Sequence, residues 1–150
     1  MGQSLSKLYV HLTFSTKDRY PFIQESWENK LYAYMSGIFK GQDSPAIIIN
    51  GVPDHVHILF ILSKNKALAK IVEEVKKQSS KWTKEQDFGP SKFTWQAGYA
   101  DFSVSASKVE VVRNYILKQK EHHKKISFQD ELRKFLEEYN IEYNEKYLWD

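Results

Sequence analysis

Residues 46–62 read Ala46-Ile47-Ile48-Ile49-Asn50-Gly51-Val52-Pro53-Asp54-His55-Val56-His57-Ile58-Leu59-Phe60-Ile61-Leu62. Ile47–Ile49 is a short apolar run of strand character, Asn50-Gly51 is a strong hairpin-turn signal, and His55 to Leu62 alternates. In the second run Val56, Ile58 and Phe60 take the core side of a sheet, so His55 and His57 share the opposite side. Toward the N-terminus, Trp27, Leu31, Tyr34, Met35 and Ile38 recur at helical spacing over about 24–40, and Gly41 ends the element. Before that helix, residues 8–15 alternate again: Leu8, Val10, Leu12 and Phe14 face one way, with Tyr9, His11, Thr13 and Ser15 opposite.

Toward the C-terminus a helix is predicted over about 67–84, with Leu68, Ile71, Val72, Val75 and Trp82 as a core-facing stripe. Gly89-Pro90 breaks the chain, and Phe93–Val104 reads as a strand bent at Gly98. Ser107-x-x-Glu110 is a capping box that opens a helix to about 123. Ser127 caps another, which buries Phe128, Leu132, Phe135, Leu136 and Tyr139. The order β-α-β-β-α-β followed by helices is the split βαβ, ferredoxin-like pattern of the α+β class: an antiparallel sheet with two helices on one face. The helix-free face is left for a ligand or another helix. One domain over residues 1–150 is expected, with a core at about 7–123 and a helical extension at about 124–150.

The chain has 150 residues, 22 Lys plus Arg against 19 Asp plus Glu, and no cysteine. Thiolate metal sites, disulfide frameworks and cysteine nucleophiles are therefore excluded. No apolar run reaches the roughly 20 residues of a membrane span, and the N-terminus lacks a signal-peptide pattern, so a cytoplasmic protein is expected. Charge is unevenly spread. Residues 64–86 and 108–125 each carry a net +4, whereas 130–150 carry −4. Such polarity suits a polyanionic partner, although a solvated helix face explains any single run equally well.

Gly-rich phosphate loops, nucleophile elbows and HExxH are absent. What remains for chemistry is His55-Val56-His57, whose side chains start roughly 6–7 Å apart on one strand face and can lean onto one metal ion. Two exposed strand histidines would give the same pattern. Tyr115 and Gln119 lie four apart on the capped helix, and with His122 they fall within roughly 60° of one another. Asp54 either orients a histidine through its second nitrogen or shapes the turn. His122 and His123 either offset the helix dipole or, for His122 on the tyrosine side, touch a substrate phosphate. His11 lines the same strand face.

Taken together, the motifs resemble the single-tyrosine HUH transposases, the IS-two-hundred-like enzymes and their REP-associated relatives. The resemblance runs through Pro53-Asp54-His55-Val56-His57-Ile58-Leu59, Lys77-Gln78-Ser79-Ser80-Lys81-Trp82, Trp95-Gln96-Ala97-Gly98-Tyr99 and Tyr115-Ile116-Leu117-Lys118-Gln119. It implies that His55, His57 and Gln119 ligate one Mg²⁺ or Mn²⁺ per site and that Tyr115 is the nucleophile. It also implies a transposase that nicks and rejoins single-stranded DNA through a 5′-phosphotyrosine, in a bacterial or archaeal cell. The DNA would carry subterminal hairpins, and the protein would be a homodimer in which the tyrosine helix can be exchanged. Lys70, Lys77, Lys81, Arg113 and Lys118 are candidate DNA-backbone contacts. Two other readings stay open. One is an HUH nickase of relaxase or replication-initiator type, for which the chain is short. The other is a non-catalytic RNA-binding module, suggested by Gly98-Tyr99-Ala100 but lacking the flanking basic and aromatic residues of that signature.

Overall fold

The computed structural model describes residues 2–150. Four strands, β1 (Leu8–Ser15), β2 (Ala46–Val52), β3 (His55–Leu62) and β4 (Ala100–Val104), form one sheet in the order β2-β3-β1-β4. Every neighbouring pair is antiparallel. The helices α1 (Glu28–Gly41) and α2 (Leu68–Glu85) supply the two crossovers, completing the expected β-α-β-β-α-β order. Val10, Leu12 and Phe14 of β1 and Val56, Ile58 and Phe60 of β3 pack with Leu31, Met35, Ile71, Val72 and Val75 into the main core. Alternation sends His11, His55 and His57 to the other side of the sheet.

That other side is not open. The helices α3 (Val109–Leu117), α4 (Gln119–His122), α5 (Phe128–Glu138) and α6 (Glu145–Leu148) follow β4. A second cluster of Phe102, Phe128, Leu132 and Leu136, flanked by Phe135, Leu148 and Trp149, forms there. Ser127 caps α5 by accepting from the Asp130 N–H, as its sequence predicts. At the other end Asn140 takes a left-handed φ of 55° while the Ile141 N–H bonds the Leu136 carbonyl.

Several local expectations are corrected. Asn50-Gly51 is not the hairpin turn: both residues lie inside β2, paired with His57 and Val56, and the reversal falls on Pro53-Asp54. The pair serves packing instead. Asn50 Nδ2 donates to the Ile116 and Leu117 carbonyls at the end of α3, at 3.0 and 3.1 Å. Gly51 is required because a Cβ there would stand 2.2 Å from the His55 carbonyl oxygen. Only Ala100–Val104 of the predicted Phe93–Val104 strand pairs as a strand, with Trp95 making an isolated bridge to Thr16. Ser107 does not cap: its Oγ lies 3.2 Å from Ser105 Oγ, and the segment enters α3 through a single 3-10 turn. The predicted helix to 123 is broken at Lys118, which separates α3 from α4. Trp82 does pack against the main core, half-buried and stacked on Tyr34, but Tyr139 is exposed rather than buried, with its hydroxyl donating to the Ser103 carbonyl.

Two glycines make a paired test. Gly51→Ala should lower unfolding stability by about 1–3 kcal/mol, because backbone must shift to admit the methyl. Gly37→Ala, exposed on α1 with nothing within 4 Å of the added carbon, should raise it by about 0.5–1 kcal/mol. Urea unfolding of the two variants beside the unaltered chain measures both.

Candidate active site

β3 is a central strand, and its histidines are wholly buried, each 0% exposed. The prediction that they face away from the main core holds, but they project beneath α5 rather than into solvent. Phe128 packs on the His55 ring, with centroids 4.4 Å apart. Each imidazole is pinned through its Nδ1. His55 Nδ1 donates to Asp54 Oδ1 at 2.7 Å, and His57 Nδ1 shares a hydrogen bond with His11 Nε2 at 2.8 Å. Asp54 thus does what its orienting alternative required, and His11 does the same for the second ring. Both Nε2 atoms are left aimed at one place.

Glu131 of α5 fills that place. Its Oε1 lies 2.8 Å from His57 Nε2 and 3.7 Å from His55 Nε2. Its Oε2 lies 3.1 Å from His122 Nε2 and 3.2 Å from His123 Nε2, and it accepts the Tyr115 hydroxyl. Tyr115 also bonds His122 Nε2 at 3.1 Å, which puts His122 on the tyrosine side as its phosphate-contact alternative supposed. Despite the break at Lys118, Gln119 stays beside Tyr115. It is fully buried, with Nε2 3.5 Å from Glu131 Oε2 and an Oε1 that has no hydrogen-bond partner.

One donor atom from each of His55, His57, His123 and Glu131 lies within 4.8 Å of all the others, a spacing that one metal ion can span. The hydrogen bonds orient the rings. His55 directs its Nδ1 to Asp54, and His123 directs its own to the Ile126 carbonyl at 2.7 Å, so both rings turn Nε2 inward. Those two nitrogens are 3.0 Å apart, close enough to serve one ion. The donor set and the unpaired Gln119 oxygen therefore fit a divalent ion.

Charge on these groups is set by burial and by Glu131. Burial holds His11 down to about 3 and His55 to about 4. His122 is lowered for the same reason. For His123 burial is outweighed by the hydrogen bond and charge of Glu131, and its value rises. Glu131 stays below the ordinary carboxylate range although burial opposes this, because His57 and its hydrogen bonds to His123, His57 and Tyr115 favour the anion. Burial first and the Glu131 charge second push Tyr115 above its ordinary value.

The candidate DNA contacts lie elsewhere. Lys70, Lys77 and Lys81 are exposed on α2, which packs on the sheet face away from His55 and His57, and Lys70 pairs with Glu73 and Glu74. Arg113 is half-buried and Lys118 exposed, at α3 and its C-terminal edge. Lys120 is committed to Glu28 Oε1 at 2.8 Å, and Lys76 to the carbonyls of Gln96 and Ala97 at 2.9 and 3.2 Å. Glu131 escaped the sequence analysis, and His123 entered it only as a dipole partner. A signal for Glu131 existed: it stands in the apolar stripe of α5, three residues after Phe128 and four before Phe135, where a charge needs a reason.

Three histidines lowered against one raised make the fold acid-sensitive. Each lowered group binds its proton less readily folded than unfolded, so its contribution is complete above about pH 6.5 and is lost as pH falls toward the folded value. Metal-free protein should lose stability as pH falls from about 6.5 toward about 4, at up to about 1.4 kcal/mol per pH unit for each of His11 and His55. Urea unfolding in chelator across that range checks this; stability that is flat or rises on acidification contradicts it.

A family model described as "Transposase IS200 like" matches residues 4–119. No curated protein gives a significant match. Two solved structures share the fold. One, from Deinococcus radiodurans, is described as a putative transposase; it is 21% identical with a TM-score of 0.60, over 79% of this chain and 96% of that one. The other is a REP-associated tyrosine transposase bound to a REP hairpin, 14% identical with a TM-score of 0.61, over 84% of this chain and 76% of that one. With that model spanning residues 4–119, most of its length, this chain belongs to the IS200-like transposases.

Proposed function

We propose that this transposase cuts and rejoins single-stranded DNA through a covalent 5′-phosphotyrosine on Tyr115, at a divalent ion held by His55, His57 and Gln119. One observation carries the reading. The Tyr115 hydroxyl and the Nε2 atom of His57 meet the same carboxylate, within a pocket built entirely by one chain.

Tyr115 brings its oxygen to the phosphorus and forms the new O–P bond. The bond from phosphorus to the 3′-oxygen breaks, and that oxygen leaves with the bonding pair and takes up a proton as a free 3′-OH. The phenolic proton has acceptors in place, His122 Nε2 at 3.1 Å and the Glu131 carboxylate. Reversal needs no added energy source, because the phosphotyrosine keeps a phosphodiester bond that an incoming 3′-OH can displace. Mg²⁺ or Mn²⁺ would supply charge to polarise the phosphate and stabilise the oxygens on which negative charge grows. Asp54 and His11 keep the two imidazoles turned to receive it.

Tyr115 lies beside His57 and Gln119 of its own chain, which supports a site built without exchange of the tyrosine helix. A hairpin-bearing strand is the substrate favoured by the REP-hairpin complex of the structural neighbour. A cavity of about 280 Å³ lined by Val112, Tyr115, His122, Ile126 and Phe135 opens beside the nucleophile and offers apolar room next to the reacting phosphate. Among the described residues no helix is long and apolar enough to cross a membrane.

Labelled single strands copied from the DNA flanking the gene, incubated with Mg²⁺ or Mn²⁺, should give an SDS-resistant adduct. Tyr115→Phe should abolish it, and His57→Ala should reduce it by on the order of a hundredfold. The same sequence annealed as a duplex should be inert. Equal reaction of duplex, or an adduct that survives Tyr115→Phe, contradicts the proposal.

A further inference from the structure

Residues 120–150 lie beyond the segment matched by the family model, yet two side chains from this extension stand in the centre of the site. We propose that His123 and Glu131 are metal ligands, so that the C-terminal extension converts the histidine pair into a site of three imidazoles and one carboxylate that prefers Mn²⁺ to Mg²⁺. This rests on the divalent-ion site of the preceding section and names ligands and a selectivity that the resemblance does not contain.

Three observations lead there. First, Glu131 is 2% exposed, and among the described residues it pairs with no lysine or arginine; its ionic partners are His55, His57, His122 and His123. A buried carboxylate is costly unless a cation or a full set of hydrogen bonds compensates it. Second, the Nδ1 atoms of His55 and His123 are bonded away from the site, to Asp54 and to the Ile126 carbonyl, so their Nε2 atoms converge at 3.0 Å beside the carboxylate. One ion can be reached from both rings and from Glu131. Third, the position is built: Phe128 and Leu132 on either side of Glu131 are buried in the second core cluster, so α5 presents the carboxylate from a rigid face.

The donor types weigh against Mg²⁺. Imidazole nitrogen suits first-row transition ions, whereas Mg²⁺ favours an all-oxygen set and gives up water reluctantly. The carboxylate has a second task. While Oε1 faces His57, Oε2 receives the Tyr115 hydroxyl, so one side chain links ion and nucleophile. Glu131 is a positioning residue for Tyr115 and a ligand for the ion, and α5 becomes part of the active site.

Calorimetric titration of the full chain with Mn²⁺ and separately with Mg²⁺, without DNA, tests the assignment. The unaltered protein should bind one Mn²⁺, at least about tenfold tighter than Mg²⁺. Glu131→Gln and His123→Ala should each weaken Mn²⁺ by about 10–100-fold and narrow the gap between the ions. A merely structural role would not change that discrimination. Asp130→Asn, on the exposed side of α5, should bind as the unaltered chain does. Circular dichroism reports folding, and the two ligand variants, on separate segments, check each other. If both variants bind Mn²⁺ normally while His57→Ala does not, the extension supplies no ligand and the proposal falls, with the tyrosine reaction intact. If the unaltered chain binds neither ion, this proposal falls with the divalent-ion site itself, and the adduct assay decides whether Tyr115 chemistry survives without it.

Discussion

Two imidazoles on the inner strand β3 are kept out of water, and each is held by a hydrogen bond through the nitrogen that points away from the site. Most of the molecule on that side of the sheet follows from this. The i, i+2 repeat of a strand puts His55 and His57 on one face, and the antiparallel partner β1 brings His11 within 2.8 Å of His57. The turn residue Asp54 fixes His55. Rings fixed in this way need no reorganisation to receive a ligand, and for a charged transition state that readiness is a large part of catalytic advantage.

Covering the pair creates an electrostatic problem that the cover also addresses. Phe128, Leu132 and Leu136 seal α5 onto the sheet, which lowers the local dielectric and disfavours the charged form of His55. The same helix brings in a negative charge at Glu131, and this charge makes ionisation of Tyr115 harder. A divalent cation among these groups would offset the carboxylate and remove much of its penalty on the phenol. In the proposed reaction, burial, the anionic side chain and the tyrosine are therefore balanced only as a set.

Much of this architecture was legible in the chain. The alternation of residues 8–15 and 55–62 foretold both central strands and assigned each histidine to its face. The four-residue interval between Tyr115 and Gln119 foretold that they stay adjacent, and they do so even though Lys118 breaks the helix. Errors arose where a local rule met a tertiary contact. Asn50-Gly51 carries turn chemistry, but its amide is used to end α3 and its missing Cβ to admit the His55 carbonyl. Residues 93–99 have strand composition, yet the chain crosses Thr16 only at Trp95 before β4 begins. Glu131 was hidden among seven acidic residues in 130–150, a run whose ordinary meaning is a solvated face. Only its register against Phe128 and Phe135 sets it apart, and that becomes compelling once α5 is seen lying over the histidines.

Mass spectrometry of the protein after reaction with single-stranded DNA and exhaustive nuclease digestion tests the central claim most directly. The account predicts a residual 5′-linked nucleotide on the peptide containing Tyr115 and on no other. A nucleotide attached to Tyr99, Tyr139 or a serine, or DNA cleaved with no peptide modified, would contradict it.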